Sequence, residues 1–108
     1  MAANPIVDSR DTKFILFEMF EVDKLTQFEK FADFDKDTME SVVDLAEKIS
    51  VEQVYPINAA ADKSGAKYDA ASKKVTIPQE YFAGLKAYYE AGFMSVATDP
   101  HWGGMGMP

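Results

Sequence analysis

A chain of 108 residues with 47% hydrophobic and 27% charged residues has the make-up of one small folded domain, which excludes disorder along its whole length. Its 11 Lys+Arg against 18 Asp+Glu leave a formal charge of −7, which repels phosphate backbones and argues against a nucleic-acid partner. Cysteine is absent, which excludes disulfide scaffolds, Cys-ligated zinc, iron–sulfur clusters and thiol nucleophiles.

The opening M-A-A-N-P-I-V-D-S-R-D has neither the basic nor the apolar region of a secretory leader. No uncharged stretch approaches the ~20 apolar residues that cross a bilayer. A soluble, cytoplasmic chain without a membrane span is expected. The 8 Phe, 5 Tyr and 1 Trp exceed what so small a core needs, so some apolar surface is expected to meet something outside these residues.

In chain order, Asp11 to Glu21 is the first expected helix. Phe14, Ile15, Leu16, Phe17, Met19 and Phe20 lie almost all round it, so burial on most sides is expected, with Asp11 or Asp8 as its cap. Leu25, Phe28 and Phe31, three apart, predict a short helix from Asp23 to Phe31. The strongest helix starts near Asp37, where Asp37 and Glu40 have capping-box spacing. Met39, Val42, Val43, Ala46 and Ile49 form its apolar stripe, and Asp44 precedes Lys48 at ion-pair spacing. The pattern can run on through Val54, Ile57 and Ala61, with a kink or break at Pro56. Gly65 reads as a left-handed helix end.

Ala66–Tyr68 and Lys74–Ile77 flank D-A-A-S as a small hairpin near residues 66–77, which should lean on helices because two strands alone are marginal. Pro78 suits the first position of a last helix carrying Tyr81, Phe82, Leu85, Tyr88 and Tyr89 and ending at Gly92. The closing D-P-H-W-G-G-M-G-M-P is a loop, since three glycines in four positions cannot hold a helix.

The chemistry candidates each have a plainer reading. Asp33, Asp35, Asp37 and Asp44 fall at calcium-loop positions, but Thr38 stands where the loop needs glycine and Asp44 where it needs a bidentate Glu. An acidic turn followed by a helix cap fits better. Gly103–Gly106 lacks the Lys-Ser/Thr of a phosphate loop and reads as a tight turn that lets backbone pass close to another element. His101, the one histidine, has Ser95 and Asp99 nearby but no nucleophile elbow, so packing or a backbone hydrogen bond is the expected role. Lys73 and Lys74 read as a solvated hairpin edge. The last helix's aromatics read as core. No catalytic, cofactor-binding or metal-ligating residue is expected in this chain.

The closing stretch, from Gly92 and Phe93 to Pro100, Trp102, Gly103, Gly104 and Gly106, resembles the end of the first helical region of acyl-CoA dehydrogenases. R-D-T-K-F-I-L-F-E (Arg10 to Glu18), F-A-D-F-D-K-D-T (Phe31 to Thr38) and V-Y-P-I-N-A-A-A-D (Val54 to Asp62) are similar to a bacterial branch with an N-terminal extension. That branch acts on long-chain or sulfur-containing (3-methylmercaptopropionyl-type) acyl-CoA thioesters. The resemblance runs over essentially the whole chain, in order.

It implies a mainly α fold, with residues 1–36 an N-terminal extension of short helices and residues 37–108 an incomplete helical N-terminal domain ending in the Gly-rich loop. It further implies a larger parent enzyme whose β domain holds FAD and whose C-terminal bundle carries the catalytic Glu, beyond Pro108. Neither Glu18 nor Glu90 takes that role. The parent would dehydrogenate acyl-CoA at the α,β bond, a carboxylate removing the α-proton while hydride leaves the β-carbon for the flavin. This chain would pack on the other domains, wall the acyl pocket and be inactive alone, and the parent is expected to be a homo-oligomer. The alternative is a free-standing helical module whose aromatic face binds a protein partner.

Overall fold

A computed structural model describes residues 4–108; residues 1–3, the head of the expected extension and of the opening read for a leader, lie outside the described part. Asp8, in extended conformation, caps α1 (Ser9–Lys13) by accepting from the Arg10 and Asp11 N–H groups. The helix then widens into a π-helical stretch, Phe14–Met19. Burial on most sides does not occur. Of its apolar residues only Phe17 is buried, while Phe14, Ile15, Met19 and Phe20 are exposed. The single helix expected over Asp23 to Phe31 is instead two 3-10 turns, Val22–Gln27 and Glu29–Phe31, because Phe28 between them is extended (φ −90°, ψ 131°).

α2 (Lys36–Ile49) begins one residue before Asp37, and its cap lies two residues before the expected one. Its cap is Asp35, whose carboxylate accepts from the Thr38 N–H at 2.8 Å; Glu40 faces Lys36 at 3.7 Å rather than closing a box with Asp37. Lys36 can open a helix as well as any long-chain residue, so the last extended residue before it takes the cap. Met39 of the predicted stripe is buried, and Val42, Val43, Ala46 and Ile49 are half-buried. The expected Pro56 interruption takes the form of a second π stretch, Ser50–Val54, before α3 (Tyr55–Ser64). Widening the turn ahead of the proline accommodates its missing donor without ending the helix. Gly65, at φ 64°, closes α3 through an N–H donated to the Ala61 carbonyl at 2.9 Å.

β1 (Lys67–Asp69) and β2 (Lys74–Thr76) pair antiparallel with Tyr68 opposite Val75. Asp69 Oδ1 accepts from the Ala71 and Ser72 N–H groups, and Lys73 adopts φ 54° to finish the turn. The hairpin does not lean on the helices: every residue of both strands is exposed. Pro78 does not open the last helix either. It sits in a turn whose carbonyl accepts from Tyr81 N–H, and α4 (Tyr81–Glu90) starts there. Gly92, at φ 81°, ends it.

The architecture is therefore mainly α with one small hairpin. α4 lies against the Ser50–Val54 turn and α2. The buried apolar residues among those described are Phe17, Met39 and Ala61.

Candidate functional site

The residues flagged for chemistry do not converge. Asp99 Oδ1 accepts from the His101 backbone N–H at 2.8 Å, so it caps the Pro100–Trp102 turn and does not orient the imidazole. The His101 ring packs edge-on against Trp102 at 4.8 Å. Of the calcium-loop carboxylates, Asp35 is the α2 cap and Asp37 and Asp44 lie within α2; among the described residues no acidic or histidine cluster is spaced for a metal. Glu18 pairs with Arg10 at 2.7 Å and Glu90 faces Lys86 at 3.7 Å, all four at the surface.

The Gly-rich loop folds back on the residues before it. Gly104 N–H donates to Asp99, Met105 to Ser95, Gly106 to Thr98 and Met107 to Val96, at 2.9–3.3 Å. A Cβ on Gly104 would collide with the Thr98 carbonyl, and one on Gly106 would press on the Pro100 ring. The tight-turn reading is the one observed.

A polar clasp was not visible in the sequence. Glu47 Oε1 on α2 accepts from Asn4 Nδ2 at 2.8 Å and Ser9 Oγ at 2.6 Å, and Lys13 Nζ bonds Asp44 at 2.8 Å. These groups, with Lys48 and Glu52, line an open groove of about 570 Å³. Asp44 thus reaches Lys13, not the Lys48 expected from helix spacing. Its carboxylate, by hydrogen bonding, raises the Lys13 amine above 10.5. That contribution is full below 10.5 and lost as pH rises through the higher folded value. The partners are some 30 to 40 residues apart, and no local pattern announces such pairs. Mixed charge and mutually satisfied partners make this groove a fastener for the N-terminal segment.

The feature with functional meaning is apolar. α4 packs through its smallest residues: Gly84 is buried, with Gln53 O, Val54 and Ile57 3.2–3.5 Å from where its Cβ would be. Ala87 and Ala91 are half-buried on the same side. Phe82, Leu85 and Tyr89 recur at helical spacing on the other side and are exposed. The aromatics expected in the core therefore point outward. A second apolar opening, about 250 Å³, lies between Leu16, Val22 and Leu25, the α2 side chains Val42 and Val43, and Val96 and Met107. A surface helix of a self-contained domain has the opposite polarity, with large apolar groups inside.

No family model matches the chain. Over 99 residues, 92% of its length, it is 30% identical to the broad-specificity linear acyl-CoA dehydrogenase FadE5 of Mycobacterium tuberculosis. The chain is related to an acyl-CoA dehydrogenase. It spans 16% of the length of that enzyme. Acyl-CoA dehydrogenases imply FAD, and the described residues do not fit that group: the Gly-rich loop's N–H groups are bonded to the chain's own carbonyls, and the polar groups of the open groove on α2 are already engaged with the chain's own Asn4, Ser9 and Lys13. No helix is long and apolar enough to cross a membrane among the described residues.

Proposed function

We propose that this chain is the N-terminal helical part of an FAD-dependent acyl-CoA dehydrogenase, packs on the flavin domain of that enzyme, helps wall its acyl pocket and is inactive alone. The observation that carries the reading is the reversed polarity of α4, small residues inward and Phe82, Leu85 and Tyr89 outward. Apolar side chains arranged in a stripe on a rigid helix are suited to meet another domain and to keep water from a reacting thioester. The reacting groups, including the flavin and the carboxylate that takes the α-proton, belong to other segments of the parent.

Residues 1–36 act as an extension fastened to α2 by the Asn4, Ser9 and Lys13 contacts, and residues 37–108 form the first part of the helical domain. The motif from Arg10 to Glu18 favours the branch acting on long-chain or sulfur-containing acyl-CoA. The parent is a cytoplasmic homo-oligomer.

Reading the source gene past the Pro108 codon and expressing the whole frame tests this. A yellow product that reduces an electron-acceptor dye with acyl-CoA, beside a colourless and inactive 108-residue chain, is expected. A frame that stops after Pro108, with a stable flavin-free monomer, overturns it and favours the free-standing interaction module.

A further inference from the structure

The hairpin is exposed throughout. Tyr68 and Val75, directly opposite each other, are 66% and 64% accessible. A two-stranded sheet with free edges is a template for another strand. The sequence of β1, Lys-Tyr-Asp, has a property that β2 lacks. Paired antiparallel with a second copy of itself about Tyr68, it sets each Lys67 opposite the other copy's Asp69. Opposite charges across strands attract, whereas like charges there repel. Self-pairing of β2 about Val75 would set Lys74 against Thr76 and gain no such attraction.

We infer that β1 is a self-pairing edge: two copies of this chain join antiparallel through Lys67–Asp69, forming a four-stranded sheet with Lys67–Asp69 ion pairs on either side of a central Tyr68 pair. Asp69 is suited to the role because the turn uses its Oδ1, and the Ser72 and Ala71 N–H bonds hold its carboxyl below the ordinary value and so ionised at neutral pH. The two-fold arrangement closes at a dimer. It leaves β2 as the outer edge, where Lys74 and the left-handed Lys73 discourage further strands. Three paired residues bury little area, so the dimer is weak and forms at high protein concentration. The pairing does not depend on the parental assignment.

The chain contains no cysteine, so a single introduced one reports its own neighbour. In the full 108-residue chain, Tyr68→Cys should form a disulfide-linked dimer on mild oxidation, because directly opposed residues have Cα atoms about 4.5–5.5 Å apart. Val75→Cys should not, since β2 and its copy would be about 14 Å apart, three strand spacings. Lys67→Glu should raise the dimer dissociation constant in sedimentation equilibrium about tenfold, by turning two attractions into repulsions. A chain that stays monomeric at high concentration overturns the inference. So does a dimer in which Val75→Cys links as readily as Tyr68→Cys, or one indifferent to Lys67→Glu. That last dimer would be held by the apolar faces, and the proposed function would stand.

Discussion

Gly103 and Gly104 are adjacent and constrained by different things. Gly103 has φ +84° with nothing within 4 Å of a Cβ, whereas Gly104 lies against the Thr98 carbonyl. Gly103→Ala should cost only about 1–2 kcal/mol of left-handed strain. Gly104→Ala should cost more, about 3 kcal/mol, because backbone and not a movable side chain must give way. Paired thermal melts check the order. Asp35 carries a prediction with a pH sign. Hydrogen bonds from the Thr38 hydroxyl and N–H hold its carboxyl below 3.8. Its contribution is therefore complete above 3.8 and lost as pH falls through the lower folded value. Asp35→Asn should keep the cap at pH 7 and flatten the acid limb of stability; Asp35→Ala should lower the melting temperature at pH 7. Circular dichroism melts across the acid range separate the two. The sequence located this turn but misplaced its cap, because Asp37-x-x-Glu40 has the capping-box pattern and Asp35-x-x-Thr38 does not. Only the dihedral angles of Asp35 decide between them.

At the scale of elements, α2, α3 and α4 were legible because a 3.6-residue stripe survives whatever covers it. Which way a stripe points is not legible, and α4 is the instance: its periodicity was clear, but Gly84 rather than Leu85 faces the neighbouring helix. Of the two π stretches, Ser50–Val54 is signalled by Pro56 just after it, whereas Phe14–Met19 left no compositional trace, since an i→i+5 bond asks for no residue type. Gly84→Leu should push α4 off the Ser50–Val54 turn, at about 2–3 kcal/mol, while leaving the α2 amides protected from hydrogen exchange. Had the stripe faced inward, the same change would fill a gap and raise protection. The clasp makes a separate expectation. Glu47→Ala removes the acceptor shared by Asn4 and Ser9, at about 1–2 kcal/mol, and should speed exchange and proteolysis within residues 4–13 ahead of α2.

Across the whole molecule the same asymmetry appears as surface. The chain exposes 8071 Å², where a compact monomer of 12.0 kDa exposes about 6,000 Å². Its radius of gyration is 17.8 Å against about 13 Å for a compact domain of this length, and it measures 57 × 37 × 20 Å. An excess near 2,000 Å² on one side of a contact belongs with obligate interfaces rather than transient ones. The three buried core residues among those described, Phe17, Met39 and Ala61, cannot offset the ordering entropy of about a hundred, so helices here depend on what covers them. Two outcomes follow for the isolated chain: it should bind an apolar dye such as ANS strongly, and it should melt over a broad range instead of in one sharp transition. If the source gene encodes the longer enzyme proposed above, dye binding per chain should drop in that product and the transition should sharpen. Sharp, dye-free melting of the 108 residues alone would mean that Phe82, Leu85 and Tyr89 find cover within this chain, and the packing argument for a larger enzyme would lose its basis.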